Sequence, residues 1–205
     1  MINIISRDNQ YGLTKDIEIL KKLITSPYRI VPFNQRNIPQ ADINLFIELF
    51  DPRFLERAKL NYIIPNQEWF MDPWKKYIPD FDLILCKTHY AKRMFSPHNP
   101  KCEYISFTSP DKYLPIKKQP TILHAPGKSR TKNTKLVEHI CNSYLDIPPV
   151  TILNFFLEEK QFNIVQNRHR IHLCPSIAEG FGHYIVEAMS AKCVPIVLDG
   201  PPTGS

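Results

Sequence analysis

Short runs rich in β-branched residues alternate with helical periodicity along the whole chain, and this alternation constrains the fold more than any other feature. It predicts an α/β architecture with a mostly parallel sheet. Ile2–Ser6 reads as a strand, followed by a helix with Leu13, Ile17, Leu20 and Ile24 on one face. Thr14 suits its N-cap, with Asp16 and Glu18 early and Lys21 and Lys22 late to complement the helix dipole. Strands are expected at 29–32, 43–49, 61–64, 83–86 and 102–107, with a helix over 89–95 capped by Thr88. The proline-rich polar stretch from Thr108 to Pro120 marks a boundary. Beyond it the pattern restarts, with strands at 121–124, 150–155, 170–174 and 194–198 and helices at 135–145 and 181–191. Two α/β units are expected, 1–115 and 116–205.

The 43% hydrophobic content is that of a globular chain and argues against disorder. No apolar run approaches the roughly 20 residues that span a bilayer, and the first residues read as a strand, not a leader. Five scattered cysteines without a C-x-x-C pair imply reduced thiols, no zinc site and a cytoplasmic setting. The net charge of +6 favours an anionic partner: phosphates, nucleic acid or a membrane surface contacted peripherally.

The most informative stretch runs from Cys174 to Met189, CPSIAEGFGHYIVEAM. Phe181, Tyr184, Ile185, Ala188 and Met189 follow helical spacing and form an apolar face, while Glu179 lies in the loop before the helix. A strand end, a glycine-containing loop and a helix start present backbone N–H groups to an anion. Gly180 and Gly182 allow close approach of a ligand to the backbone. Glu179 and Glu187 are eight positions apart, about 12 Å along an ideal helix, which suits two rings of one extended ligand.

A second stretch, HAPGKSRTKNTK from His124 to Lys135, follows a predicted strand and opens a helix. Its cations oppose the helix dipole, a conflict that a bound pyrophosphate would resolve. A solvated basic face and a nucleic-acid patch are the competing readings, but no aromatic residues are interleaved for base stacking. The glycine spacing is not that of a Walker A loop.

At these residues the chain resembles the retaining GT-B glycosyltransferases, of the group 1 or family 4 type. Glu179 and Glu187 reproduce their E-x7-E signature, and Lys192–Val197 is similar to their G-x-P-V-I strand, with Cys193 where glycine is common. The resemblance implies two Rossmann-like domains, the second incomplete here, and transfer of a sugar from a nucleotide diphosphate sugar to a hydroxyl with retention. It assigns Glu179 to the donor sugar and Glu187 to the ribose, with Gly180, Phe181 and Gly182 near the sugar and diphosphate. Lys128 and Lys132 would hold the diphosphate, with Arg130 as a substitute, and Gly12 would face the cleft. The donor would be a UDP- or GDP-sugar and the acceptor a glycan or lipid, with no other cofactor, no metal and no nucleic acid. The alternative is a non-catalytic sugar-nucleotide-binding or assembly module.

Three signals in the first half are weaker. Glu68 is read as an acid, a base or an acceptor contact, Trp69 as a stacking ring, and His89 as a polar group at a helix start. The D-x-D at Asp80–Asp82 precedes a strand and reads as a turn. The sequence stops soon after the strand at 194–198, short of a full nucleotide-binding domain. This predicts an open sheet edge that favours self-association.

Overall fold

The computed structural model describes residues 1–9, 12–127 and 129–200, with only the backbone at Arg130. The chain divides into two units, Met1–Thr108 and Ser109–Ser205. Each is α/β with one all-parallel sheet, Rossmann-like in character. Among the described residues no helix is long and apolar enough to cross a membrane.

The first unit contains β1 (Ile2–Ser6), α1 (Gly12–Leu23), β2 (Tyr28–Pro32), β3 (Ala41–Ile47), β4 (Ala58–Ile64), β5 (Leu83–Cys86), α2 (His89–Phe95) and β6 (Cys102–Tyr104). The sheet order is β2-β1-β3-β4-β5-β6. Successive side chains of a strand point to opposite faces, so Ile5, Phe46, Ile63 and Ile84 enter one core while Ile4, Leu45, Ile47 and Ile64 enter another. α1 covers the second core with Leu13 and Leu20. It begins before Thr14, contrary to the sequence expectation, and has no acidic residue in its first turn. Asp16 is instead buried and takes a hydrogen bond from Lys87 Nζ at 2.8 Å. The expected cap on α2 is present: Thr88 Oγ1 accepts from the Ala91 amide at 3.0 Å.

The opposite face lacks long helices. The connections around β4 are 3-10 segments at Pro52–Arg57, Gln67–Trp69 and Asp72–Asp80. Aromatic side chains fill the space a helix would occupy. Phe50 packs against Phe46, Phe70, Trp74, Tyr77 and Phe81 with ring centroids 5.1–6.3 Å apart. Buried asparagines anchor the irregular connections. Asn3 donates to Asn44 Oδ1 (2.9 Å) and Pro39 O (2.8 Å). Asn44 donates to Asn61 Oδ1 (3.3 Å) and Phe54 O (2.8 Å), and Asn61 donates to Leu55 O (2.9 Å). The three lie side by side in register, so a one-residue slip would strand their amides in an apolar layer. At the D-x-D, Phe81 is core and Asp82 accepts from the Asn61 amide at 2.9 Å, so the motif is structural.

The second unit contains β7 (Gln119–His124), α3 (Thr134–Ser143), β8 (Val150–Ile152), α4 (Glu159–Arg168), β9 (His169–Cys174), α5 (His183–Ser190) and β10 (Val194–Val197), in the order β10-β9-β7-β8. The stretch expected as a linker from 108 belongs largely to this unit. Leu114 N donates to Asn167 Oδ1 (2.9 Å), Asn167 Nδ2 donates to Lys112 O (2.6 Å), and Lys112 N donates to Ser190 Oγ (2.9 Å). Lys118 Nζ donates to Asn167 O (3.0 Å) and Ala191 O (2.8 Å), so one cation satisfies carbonyls at the C-terminal ends of α4 and α5. β10 is an edge strand among the described residues, with Val194 and Ile196 exposed.

Both tryptophans, Trp69 and Trp74, lie in the first unit, so their fluorescence reports its unfolding alone. Phe50→Ala removes the ring at the centre of the aromatic cluster. It is expected to destabilise this unit by about 3–5 kcal/mol, read as a lower urea midpoint of the tryptophan transition.

Candidate functional site

In both sheets the second strand lies on one side of the first and the third on the other. The loops leaving the carboxyl ends of the first and third strands therefore diverge to opposite faces and leave a crevice between them. In the second unit those loops follow β7 and β9, and they are the two segments singled out in the sequence.

The β7 loop starts from His124, which is fully buried. Its Nδ1–H donates to Leu173 O (2.9 Å), which leaves Nε2 to accept from Thr134 Oγ1 (3.0 Å) at the start of α3. Burial holds this imidazole below its ordinary pKa, in the neutral form those two bonds require. Gly127 has φ +60°, and Asn133, at +55°, turns the chain into α3. Asn133 makes no side-chain cap, and the first turn of α3 carries no acid. Its leading N–H groups and helix dipole thus face the crevice without a carboxylate of their own.

The β9 loop leaves Cys174, whose thiol burial pushes up to about 12, so it stays protonated and inert. Ile177 N donates to Thr131 O at 3.0 Å, joining the two loops. Gly182, at φ +84°, leads into α5, which also starts without a side-chain cap or an acid in its first turn. A Cβ at Gly182 would stand 3.1 Å from Ile185 Cδ1, in a backbone region that side chains avoid.

The side chains converge between these loops. Lys132 Nζ donates to Glu179 Oε1 and lies 3.6 Å from the centre of the Tyr184 ring. Tyr184 and Ser176 share a hydrogen bond of 2.6 Å between their hydroxyls. Both members of the ion pair are largely buried, so solvent screens their attraction little, against the cost of desolvating both charges. Gly180 and Gly182 are buried beside it, and Phe181 packs edge-on against His183 (5.1 Å). His183 Nδ1 is 2.6 Å from Ser109 Oγ.

The structure thus brings together Lys132, Glu179, Gly180, Phe181 and Gly182. Glu187 lies on α5 and is only 1% exposed, next to Ala188 in the small core of this unit. Met189, expected on the apolar face, is exposed. Lys128 and the Arg130 side chain lie outside the described residues, as do Gln10 and Tyr11 of the first loop. Gly12 opens α1 in the first unit. Glu68 and Trp69 are exposed there, and His89 stacks on Tyr104 at 4.0 Å. Among the described residues no group of three His, Cys, Asp or Glu side chains could hold a metal ion.

Helical spacing placed Tyr184 on the apolar face, but its contacts with Lys132 and Ser176, and the bonds of His124, were not read from the sequence. Spacing along one element does not show which side chains another loop brings to it.

Beneath the crevice, His172 on β9 donates from Nε2 to Gln166 O (3.0 Å), and burial lowers its pKa to about 4. The unfolded chain takes up this proton first, near 6.5, so the contribution is complete above that pH. It is lost as pH falls towards 4, by up to about 3 kcal/mol. Unfolding followed by circular dichroism should show this acid destabilisation, and His172→Gln should flatten it. Gly182→Ala is expected to cost about 1–2 kcal/mol in the same measurement at neutral pH, from backbone strain and the Ile185 contact. No protein-family model matches the chain, and no curated protein matches it.

Proposed function

We propose that this protein is a retaining GT-B-type glycosyltransferase, moving a sugar from a nucleotide diphosphate sugar to a hydroxyl of a glycan or lipid acceptor. The observation that carries the reading is the meeting of Lys132 and Glu179 at the crevice between the β7 and β9 loops. A cation and two helix N-termini without acids of their own suit a diphosphate, and a largely buried carboxylate suits sugar hydroxyls. The resemblance, which assigns the donor sugar to Glu179 and the diphosphate to Lys128 and Lys132, supports the same reading.

Departure of the diphosphate is the step these residues would assist. Lys132 and the N-terminal amides of α3 would neutralise charge developing on the leaving oxygens. Tyr184 buttresses Lys132 through its ring face, and the Ser176 hydroxyl fixes that ring. Lys132 is engaged by Glu179, so a diphosphate binding here would take the cation from the carboxylate. That exchange frees Glu179 for the sugar and couples recognition of the two parts of the donor. Glu187, buried on α5, would reach a ribose only if the residues around it yield.

Thermal shift with UDP, GDP, ADP and their sugar conjugates tests this reading. One nucleotide class is expected to stabilise the protein, and Lys132→Ala to weaken that binding by about ten-fold or more. Glu179→Gln should strengthen binding of the bare diphosphate, by releasing Lys132, while removing the added effect of the sugar. No shift with any nucleotide in folded protein would overturn the proposal. Binding without turnover would assign the chain to the non-catalytic alternative.

A further inference from the structure

The first unit has the same switch of strand order, between β1 and β3, and its carboxyl edge is where ligands of such sheets bind. Glu48, the residue after β3, is 4% exposed and has φ +67°. Both carboxylate oxygens are engaged. Oε1 accepts from Arg7 Nη2 at 2.7 Å, and Oε2 accepts from Asn66 Nδ2. Arg7 follows β1 and Asn66 follows β4, so three neighbouring strands deliver the triad to one end of the sheet.

The energetics do not fit a simple surface ion pair. A left-handed backbone at a residue with a side chain is strained, and burying a carboxylate adds a desolvation cost. An exposed pair returns little of this. What the arrangement does achieve is to tether one nitrogen of a guanidinium while its side chain stays 52% exposed. Arginine has five N–H donors and no acceptor. Among the described residues only Nη2 of Arg7 is engaged by another side chain. Among the described residues the acids nearest in sequence have other partners: Asp8 accepts from Thr14 Oγ1 (2.6 Å) and Asp16 is paired with Lys87.

We infer that Arg7, set by Glu48 and Asn66, forms a binding site in the first unit for the oxyanion of a small hydroxylated ligand, a sugar carboxylate or a sugar phosphate. Planar, doubly hydrogen-bonded recognition of an oxyanion is what a pre-oriented guanidinium does best. The inference is independent of the reaction proposed for the second unit.

Calorimetric titration of the full chain with glucuronate, glucose 6-phosphate and glucose tests it. One or both anionic sugars should bind at millimolar concentration at least about ten-fold more tightly than glucose. The stronger of the two identifies the oxyanion. Arg7→Ala should abolish that preference, Arg7→Lys should retain part of it, and Glu48→Gln should weaken it by loosening the guanidinium. An unchanged tryptophan unfolding transition in Arg7→Ala keeps the result from reflecting misfolding. Lys132→Ala should leave the titration unaltered. Absence of binding, equal binding of glucose, or loss in Lys132→Ala instead of Arg7→Ala would overturn the inference.

Discussion

The parallel pairing of the first strand with the third, β1 with β3 and β7 with β9, is the constraint on which the other features rest. Because the second strand lies on the far side in each sheet, the chain reverses its direction of travel at this pair. The loops at its carboxyl end lead to elements on opposite faces of the sheet. Each unit therefore exposes backbone donors and places charged side chains at that end. Lys132 with Glu179 and Arg7 with Glu48 occupy equivalent places in their own sheets, although the surrounding sequences share no motif.

The two units support this common end differently. In the first, aromatic rings and an asparagine row replace absent helices, and the left-handed turn at Glu48 both sends the carboxylate to Arg7 and directs Phe50 into the core. In the second, the apolar core is small and much of the interior is polar. His124, His172 and Asn167 are buried there with named hydrogen-bond partners, and neutrality of the imidazoles is part of the packing. Such a core gives a precise platform for the loops and makes it sensitive to acid.

Most strands were legible because two-residue alternation and β-branched runs survive burial on both faces; 83–86 and the helix at 89–95 match the expected bounds. α4 escaped because its buried residues are Gln166 and Asn167, so it has no apolar stripe to read. The 3-10 segments escaped because prolines and aromatics in short runs look like loop. Asp16 was read as a dipole partner and proved to be a buried ion-pair member, since spacing along a helix says nothing of what a neighbouring strand supplies. Arg7 and Glu48 were invisible for the same reason: they are separated by 41 positions and belong to no motif.

The sequence by itself determined the α/β alternation, the two-unit plan and the presence of a glycine-flanked carboxylate loop beside a basic loop, because these depend on local periodicity and short-range chemistry. Only the tertiary structure decided that Lys132 meets Glu179, that Glu187 turns inward, and that Glu48 holds Arg7 at the edge of the first sheet. Those outcomes depend on strand order, and strand order is set by long-range pairing that no window of sequence contains.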